Sequence, residues 1–153
     1  MPDAAVATKA GLVAYFAGPE LSEGPLPTLV YFGASGEETL EEHPFNYPVA
    51  PFLSLGGRVL SFDLPYHHKG ADKKEAIQQW VLELQHGRDV ITPYVSQVEN
   101  ALHELARAGW ITEDKIVFCG LSRGGFVAGH LAARFAGARA LLGFAPVTKI
   151  TGS

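Results

Sequence analysis

The sequence predicts an α/β protein. Short β-rich runs alternate with segments of helical period, Gly and Pro punctuate the breaks between them, and the apolar run 115–120 (KIVFCG) is near-continuous rather than alternating. Near-continuous apolar strands are those covered on both faces, as in a parallel sheet, so the expectation is a parallel sheet with right-handed crossovers and flanking helices. With 153 residues, 47% of them hydrophobic and only 18% charged, the chain has material for one core and too little charge for disorder, so one domain over 1–153 is expected.

Residues 11–16 (GLVAYF) and 28–32 (TLVYF) read as two strands separated by Gly18-Pro19 and Gly24-Pro25-Leu26-Pro27. The segment after Gly33 begins polar and ends apolar, and Pro44, Pro48 and Pro51 confine it to a loop with a short helix. Residues 58–64 (RVLSFDL) form another strand, opened by Gly56-Gly57 and closed by Pro65. Ile77, Trp80, Val81 and Leu84 share a helical face within 71–85, and Gly87 breaks that helix. Val95, Val98, Leu102 and Leu105 repeat the spacing in a helix that starts near Thr92-Pro93 and ends at Gly109. After the strand 115–120, residues 124–135 read as a helix through Phe126, Ala128, Leu131, Ala132 and Phe135, and 138–147 (ARALLGFAPV) as a last strand.

The charge balance excludes several function classes. Twelve Lys+Arg against 16 Asp+Glu, with no basic run, supply no footprint for nucleic acid or anionic membrane. A single cysteine, Cys119, excludes an intramolecular disulfide and a cysteine-rich zinc site and fits a reducing compartment. No apolar run approaches the roughly 20 residues that span a bilayer, and the N-terminus lacks a basic region followed by an apolar stretch, so a cytoplasmic location is expected.

In a parallel α/β sheet the ligand site lies at the carboxyl ends of the strands. Those ends are Phe32-Gly33-Ala34-Ser35, Asp63-Leu64-Pro65-Tyr66, Gly120-Leu121-Ser122 and Phe144-Ala145-Pro146. One of them carries a motif: Gly120-Leu121-Ser122-Arg123-Gly124 is G-x-S-x-G, placed between the strand 115–120 and the helix 124–135. A turn that tight forces the serine into an unfavourable backbone conformation, so the residues two positions away on each side must lack Cβ atoms. It lifts the hydroxyl above the sheet and aims the next helix's amides and positive dipole end at a developing oxyanion.

At this motif the chain resembles the α/β-hydrolase superfamily, particularly its dienelactone-hydrolase-like and prolyl-oligopeptidase-like members. The resemblance extends to TLVYF followed by GASG, to FDLPYHHKG, to AGWITEDKIVFCG and to the strand ending in FAPV. It implies a serine hydrolase that acts on a carboxylic ester or other small acyl substrate, or on a peptide, through an acyl-enzyme on Ser122 and without a cofactor. By the same resemblance the backbone N–H of Arg123 is one oxyanion donor, and the second comes from the loop after TLVYF. Aligning Phe32-Gly33 with the family's His-Gly makes Ala34 that donor; Phe32 replaces the usual histidine, so Ser35 stands as the alternative.

The superfamily's acid and histidine follow the serine in the chain. Residues 123–153 hold no Asp or Glu and one histidine, His130, about two turns along the helix, a poor position for a base. Further strand and helix units are implied after this point. The expectation is therefore that the chain is the front part of a longer hydrolase; the alternatives are a second copy or another chain that completes it along the apolar C-terminal edge, and a non-catalytic binding module.

His67 and His68 sit on the expected rim, where relatives often read D-x-P-x-H-G; a loop-shaping role is favoured over a substrate-side base or a metal ligand. Asp63 is expected to hold that loop by hydrogen bonds. The Arg123 side chain either meets a substrate carboxylate or pairs with a nearby acid. Cys119 reads as core. Glu37, Glu38, Glu41 and Glu42 read as a solvated run, and His43, His86 and His103 show no constellation.

Overall fold

The computed structural model describes residues 2–144. Its sheet has six strands in the order β1-β2-β4-β3-β5-β6, with β1 at Ala4–Ala7, β2 at Val13–Ala17, β3 at Leu26–Phe32, β4 at Arg58–Ser61, β5 at Ile111–Leu121 and β6 at Ala138–Phe144. Strands β4, β3, β5 and β6 run parallel, whereas β2 pairs antiparallel with β4 on one side and with β1 on the other. The sheet is thus mixed rather than wholly parallel. β1 escapes the sequence reading because AAVA lacks a branched or aromatic pattern, and its pairing to β2 supplies what propensity does not.

The expected helices form as α3 (Lys73–Gln85), α4 (Ile91–Arg107) and α5 (Arg123–Arg134), while the proline-rich segment holds two short ones, α1 (Gly36–Glu41) and α2 (Val49–Ser54). The start of α4 is fixed by the Asp89 carboxylate, which accepts from the amides of Ile91 and Thr92 at 3.0 Å each. Gly109, at φ +82°, turns the chain out of α4 as its position suggested.

Alternation along the strands divides the core between the two faces of the sheet. Val30, Phe32, Leu60 and Phe118 face α4 and α5, which contribute Val95, Val98, Leu102, Leu105, Val127, Ala128 and Leu131. Leu29, Tyr31, Val59 and Cys119 face the other way, onto Leu40 of α1 and Val49 of α2. The register pairs Phe32 with Gly120 across β3 and β5, so the two strands end at one level and their following loops share a rim. Residues 139–144 of β6 are exposed; Leu142 and Phe144 line an apolar groove with Tyr47, Phe52 and Leu55, and Leu141 lies on the other face of the sheet. Among the described residues no helix is long and apolar enough to cross a membrane.

Arg58 is fully buried at the opposite end of the strands and donates to four carbonyls: Pro19 at 2.9 Å, Glu20 at 2.6 Å, Gly24 at 3.1 Å and Trp110 at 2.6 Å. One side chain thereby holds the β2–β3 connection against the turn before β5. Arg58→Met is expected to leave those carbonyls short of donors and to destabilise the protein by about 3 kcal/mol, read from the midpoint of urea unfolding.

Candidate active site

Ser122 occupies φ +55°, ψ −120° between β5 and α5, a conformation that non-glycine residues rarely adopt. The neighbouring glycines show why it is enforced. A Cβ on Gly120 would lie 2.1 Å from the carbonyl carbon and oxygen of Gly124, and a Cβ on Gly124 would lie 2.1 Å from the Phe32 carbonyl oxygen. The turn therefore closes on itself and rests on the end of β3. Its amides are bonded on both sides, Ser122 N–H to Phe144 O and Gly125 N–H to Ser122 O, each at 3.0 Å.

Arg123 is the first residue of α5, so its amide has no carbonyl partner within the helix. The two residues weighed as its counterpart behave differently. The Ala34 N–H donates to Thr39 Oγ1 at 2.9 Å, and Thr39 Oγ1 donates in turn to Ser35 O at 2.7 Å. No hydrogen bond occupies the Ser35 N–H among the described residues. The Ser35 hydroxyl caps α1, accepting from the Glu38 amide at 3.1 Å and donating to Glu38 Oε1 at 2.9 Å.

The loop after β4 is bound to the loop after β3 through polar contacts. Asp63 Oδ1 accepts from the Gly36 N–H at 2.7 Å, Leu64 N–H donates to Ala34 O at 3.0 Å, and Tyr94 Oη donates to Asp63 O at 2.7 Å. Burial raises the Asp63 carboxyl pKa above its ordinary value, with the Gly36 bond opposing. Asp63 is thus a loop-holding residue, as expected. His67, 2% exposed, is also built into this loop: its Nδ1–H donates to Pro65 O at 2.8 Å and its ring meets the edge of Trp80 at 6.2 Å. The bonded Nδ1 leaves Nε2 as an acceptor, and burial first, then the charges of Arg123 and Lys73, lower its pKa and keep the ring neutral.

The acidic segment 37–42 is not a wholly solvated run. Glu38 is 6% exposed and accepts from Lys73 Nζ at 2.6 Å and from the Gly70 N–H at 3.3 Å, besides Ser35. α1 lies against the sheet with one face inward, which takes Glu38 with it. Its partners on the 66–72 loop and α3 offset the burial, and the pKa stays low. The spacing S-x-x-E from Ser35 to Glu38 was the available sequence signal. His103 likewise has partners, its Nδ1 meeting the Glu113 carboxylate and its ring lying against Phe135 at 5.2 Å. His43 bonds the Tyr47 hydroxyl at 3.1 Å.

Of the four rim segments expected from the sequence, those after β3, β4 and β5 come together, and Phe144 reaches them through its bond to Ser122. Ala145 and Pro146 lie outside the described residues. His130 sits on α5 with its ring against Phe126 at 4.6 Å. Cys119 is fully buried and its thiol pKa is pushed up to about 12 by burial, which makes it an inert core residue. No group of His, Cys, Asp and Glu capable of holding a metal ion occurs among the described residues.

The strained backbone at Ser122 gives a test that needs no substrate. Ser122→Gly is expected to stabilise the protein by about 1 kcal/mol, because glycine accepts φ +55° without steric cost, whereas Ser122→Ala should bring no such gain. Comparing the urea midpoints of the two variants measures the difference.

No protein-family model matches the sequence, and no curated protein does. Solved structures match it by fold. A dienelactone hydrolase-like promiscuous phosphotriesterase from metagenomic libraries superposes with a TM-score of 0.67 at 20% identity, over 97% of this chain and 62% of that one. A prolyl endopeptidase gives 0.60 at 19% identity over 94% of this chain and 20% of that one. An acetyl xylan esterase from a Paenibacillus species gives 0.60 at 17% identity over 87% and 45%. The chain thus spans less than two thirds of the length of each of these hydrolases. By this likeness over most of its length, the chain has the α/β-hydrolase fold.

Proposed function

We propose that the protein is a serine hydrolase that cleaves a carboxylic ester or related acyl substrate, a peptide included, through an acyl-enzyme on Ser122. The observation that carries this reading is the Ser122 turn itself, held at positive φ by glycines that admit no Cβ. Such strain persists only where surrounding structure enforces it, and here it puts a hydroxyl at the head of a 12-residue helix. The hydrolases of similar fold support the reaction class. The reaction runs on protein groups and takes a small acyl molecule as its partner, in a cytoplasmic setting.

In this reading Ser122 Oγ attacks the scissile carbonyl, its proton passes to a histidine, and the oxyanion is received by the Arg123 N–H and a second amide from the loop after β3. Ala34 was the first choice from the sequence; its bond to Thr39 shifts the assignment to Ser35, whose amide is unoccupied among the described residues. No residue of 123–153 is assigned as the base or its acid in this reading. A second reading, a binding module that keeps the turn without the triad, draws on one observation: residues 123–153 contain no carboxylate side chain.

The complete polypeptide should be labelled by a fluorophosphonate probe, with labelling and ester hydrolysis both abolished in Ser122→Ala; an unlabelled protein with no esterase activity in parent or variant would favour the binding module. The oxyanion assignment has its own test, because Ser35 sits at φ −70°, where proline fits without strain. Ser35→Pro should lower kcat by about 10²- to 10³-fold relative to Ser35→Ala, since both lose the cap but only proline loses the amide. Equal rates would return the assignment to Ala34.

A further inference from the structure

Two arginines of this chain are drawn away from water, and they are treated in opposite ways. Arg58 is surrounded by four carbonyl acceptors. Arg123 is half-buried, its Nη1 is buried, and no hydrogen bond or carboxylate meets its guanidinium among the described residues. Arg88 and Arg134, which are more exposed, pair with Glu83 and Glu99. Residues 145–153 offer no Asp or Glu that could complete the set. What Arg123 does have is an aromatic surface: its Cζ lies 5.5 Å from the centre of the Trp80 ring. That contact covers one face of the guanidinium and leaves the buried Nη1 without an acceptor.

The same tryptophan carries a second unsatisfied group. His67 is 2% exposed, and its Nε2 has no partner while its Nδ1 is bonded to Pro65 O. Trp80 is held in place by its own Nε1–H bond to that carbonyl, at 2.8 Å. Two buried polar atoms, Arg123 Nη1 and His67 Nε2, thus lack partners, and the side chains of both lie against Trp80, with Arg123 at the positive end of α5. Buried polar groups are ordinarily satisfied, and an unpaired guanidinium is among the costlier exceptions.

We propose that the Arg123 side chain, with His67 and Trp80, is the anion-recognition site of this protein, taking a carboxylate or phosphate carried by the acyl substrate. This rests on the hydrolase reading for what the anion is attached to, and on the rim geometry alone for the anion. A planar, bidentate acceptor matches the guanidinium fork, and the helix end adds to the attraction. The anion also changes the state of His67. Burial and the charges of Arg123 and Lys73 lower the imidazole pKa, with the bond to the Pro65 carbonyl and the charge of Glu38 opposing them. A bound anion offsets those cations, His67 takes up a proton, and Nε2 turns from acceptor to donor. Anion affinity therefore rises as pH falls through the pKa that His67 has in the complex.

Calorimetric titration of the complete polypeptide carrying Ser122→Ala separates this from the hydrolase reading, because the variant cannot be acylated. The probes are glutarate, its neutral analogue glutaramide, and inorganic phosphate. Glutarate, phosphate or both should bind at least about tenfold more tightly than glutaramide, the anion that binds identifying which source is used. Arg123→Met in the same background should remove that preference, Arg123→Lys should restore part of it, and affinity should increase from about pH 8 to about pH 6. Anions that bind no better than glutaramide, or a preference that survives Arg123→Met, would overturn the proposal. Anion binding in this variant, with a parent protein that no fluorophosphonate labels, would overturn the hydrolase reading and keep this one.

Discussion

The approach of two backbone segments governs this rim. Where β5 turns into α5, the chain folds back until Gly120 touches the peptide of Gly124, and Gly124 rests on the last carbonyl of β3. No side chain is tolerated at either position. The cost of that closure falls on Ser122, which is left at positive φ with its hydroxyl at the head of α5. The helix cannot start later, and β5 cannot shift against β3, without breaking this contact. The parallel pairing of Phe32 with Gly120 is therefore both a feature of the sheet and a condition for the site.

Around that fixed point the remaining rim is assembled from local polar bonds. Asp63 ties the end of β4 to the start of α1, and Glu38 ties α1 to the loop before α3 through Gly70 and Lys73. Tyr94 from α4 and Trp80 from α3 bond carbonyls of the same loop. Each loop is thus held by an element other than its own strand. Such cross-bracing restricts the loop amides to one orientation, which an oxyanion site requires before the charge develops.

The architecture was legible in the sequence because its signals are local. The helical periods of α3, α4 and α5, the apolar run of β5 and the G-x-S-x-G spacing each depend on neighbours within a turn or two. What was not legible depends on distant partners. The antiparallel β1 is specified by pairing with β2 rather than by its own propensity. Glu38 looked solvated because nothing in EETLEE reveals that Lys73 will stand against it. Thr39 gives no sign in the sequence that its hydroxyl will accept from the Ala34 amide. Arg58 and Trp80 are similar: their roles come from carbonyls and rings supplied by segments far along the chain.

The central claim is that the strained serine is a nucleophile, and the most direct measurement is to trap what it forms. The complete polypeptide is mixed with a neutral 4-nitrophenyl ester, quenched in acid during the first turnover, digested and examined by mass spectrometry. With Ser122 as the nucleophile, an acyl group is expected on the peptide that contains it, appearing together with a burst of nitrophenolate. Ester turnover with that peptide unmodified throughout would contradict it.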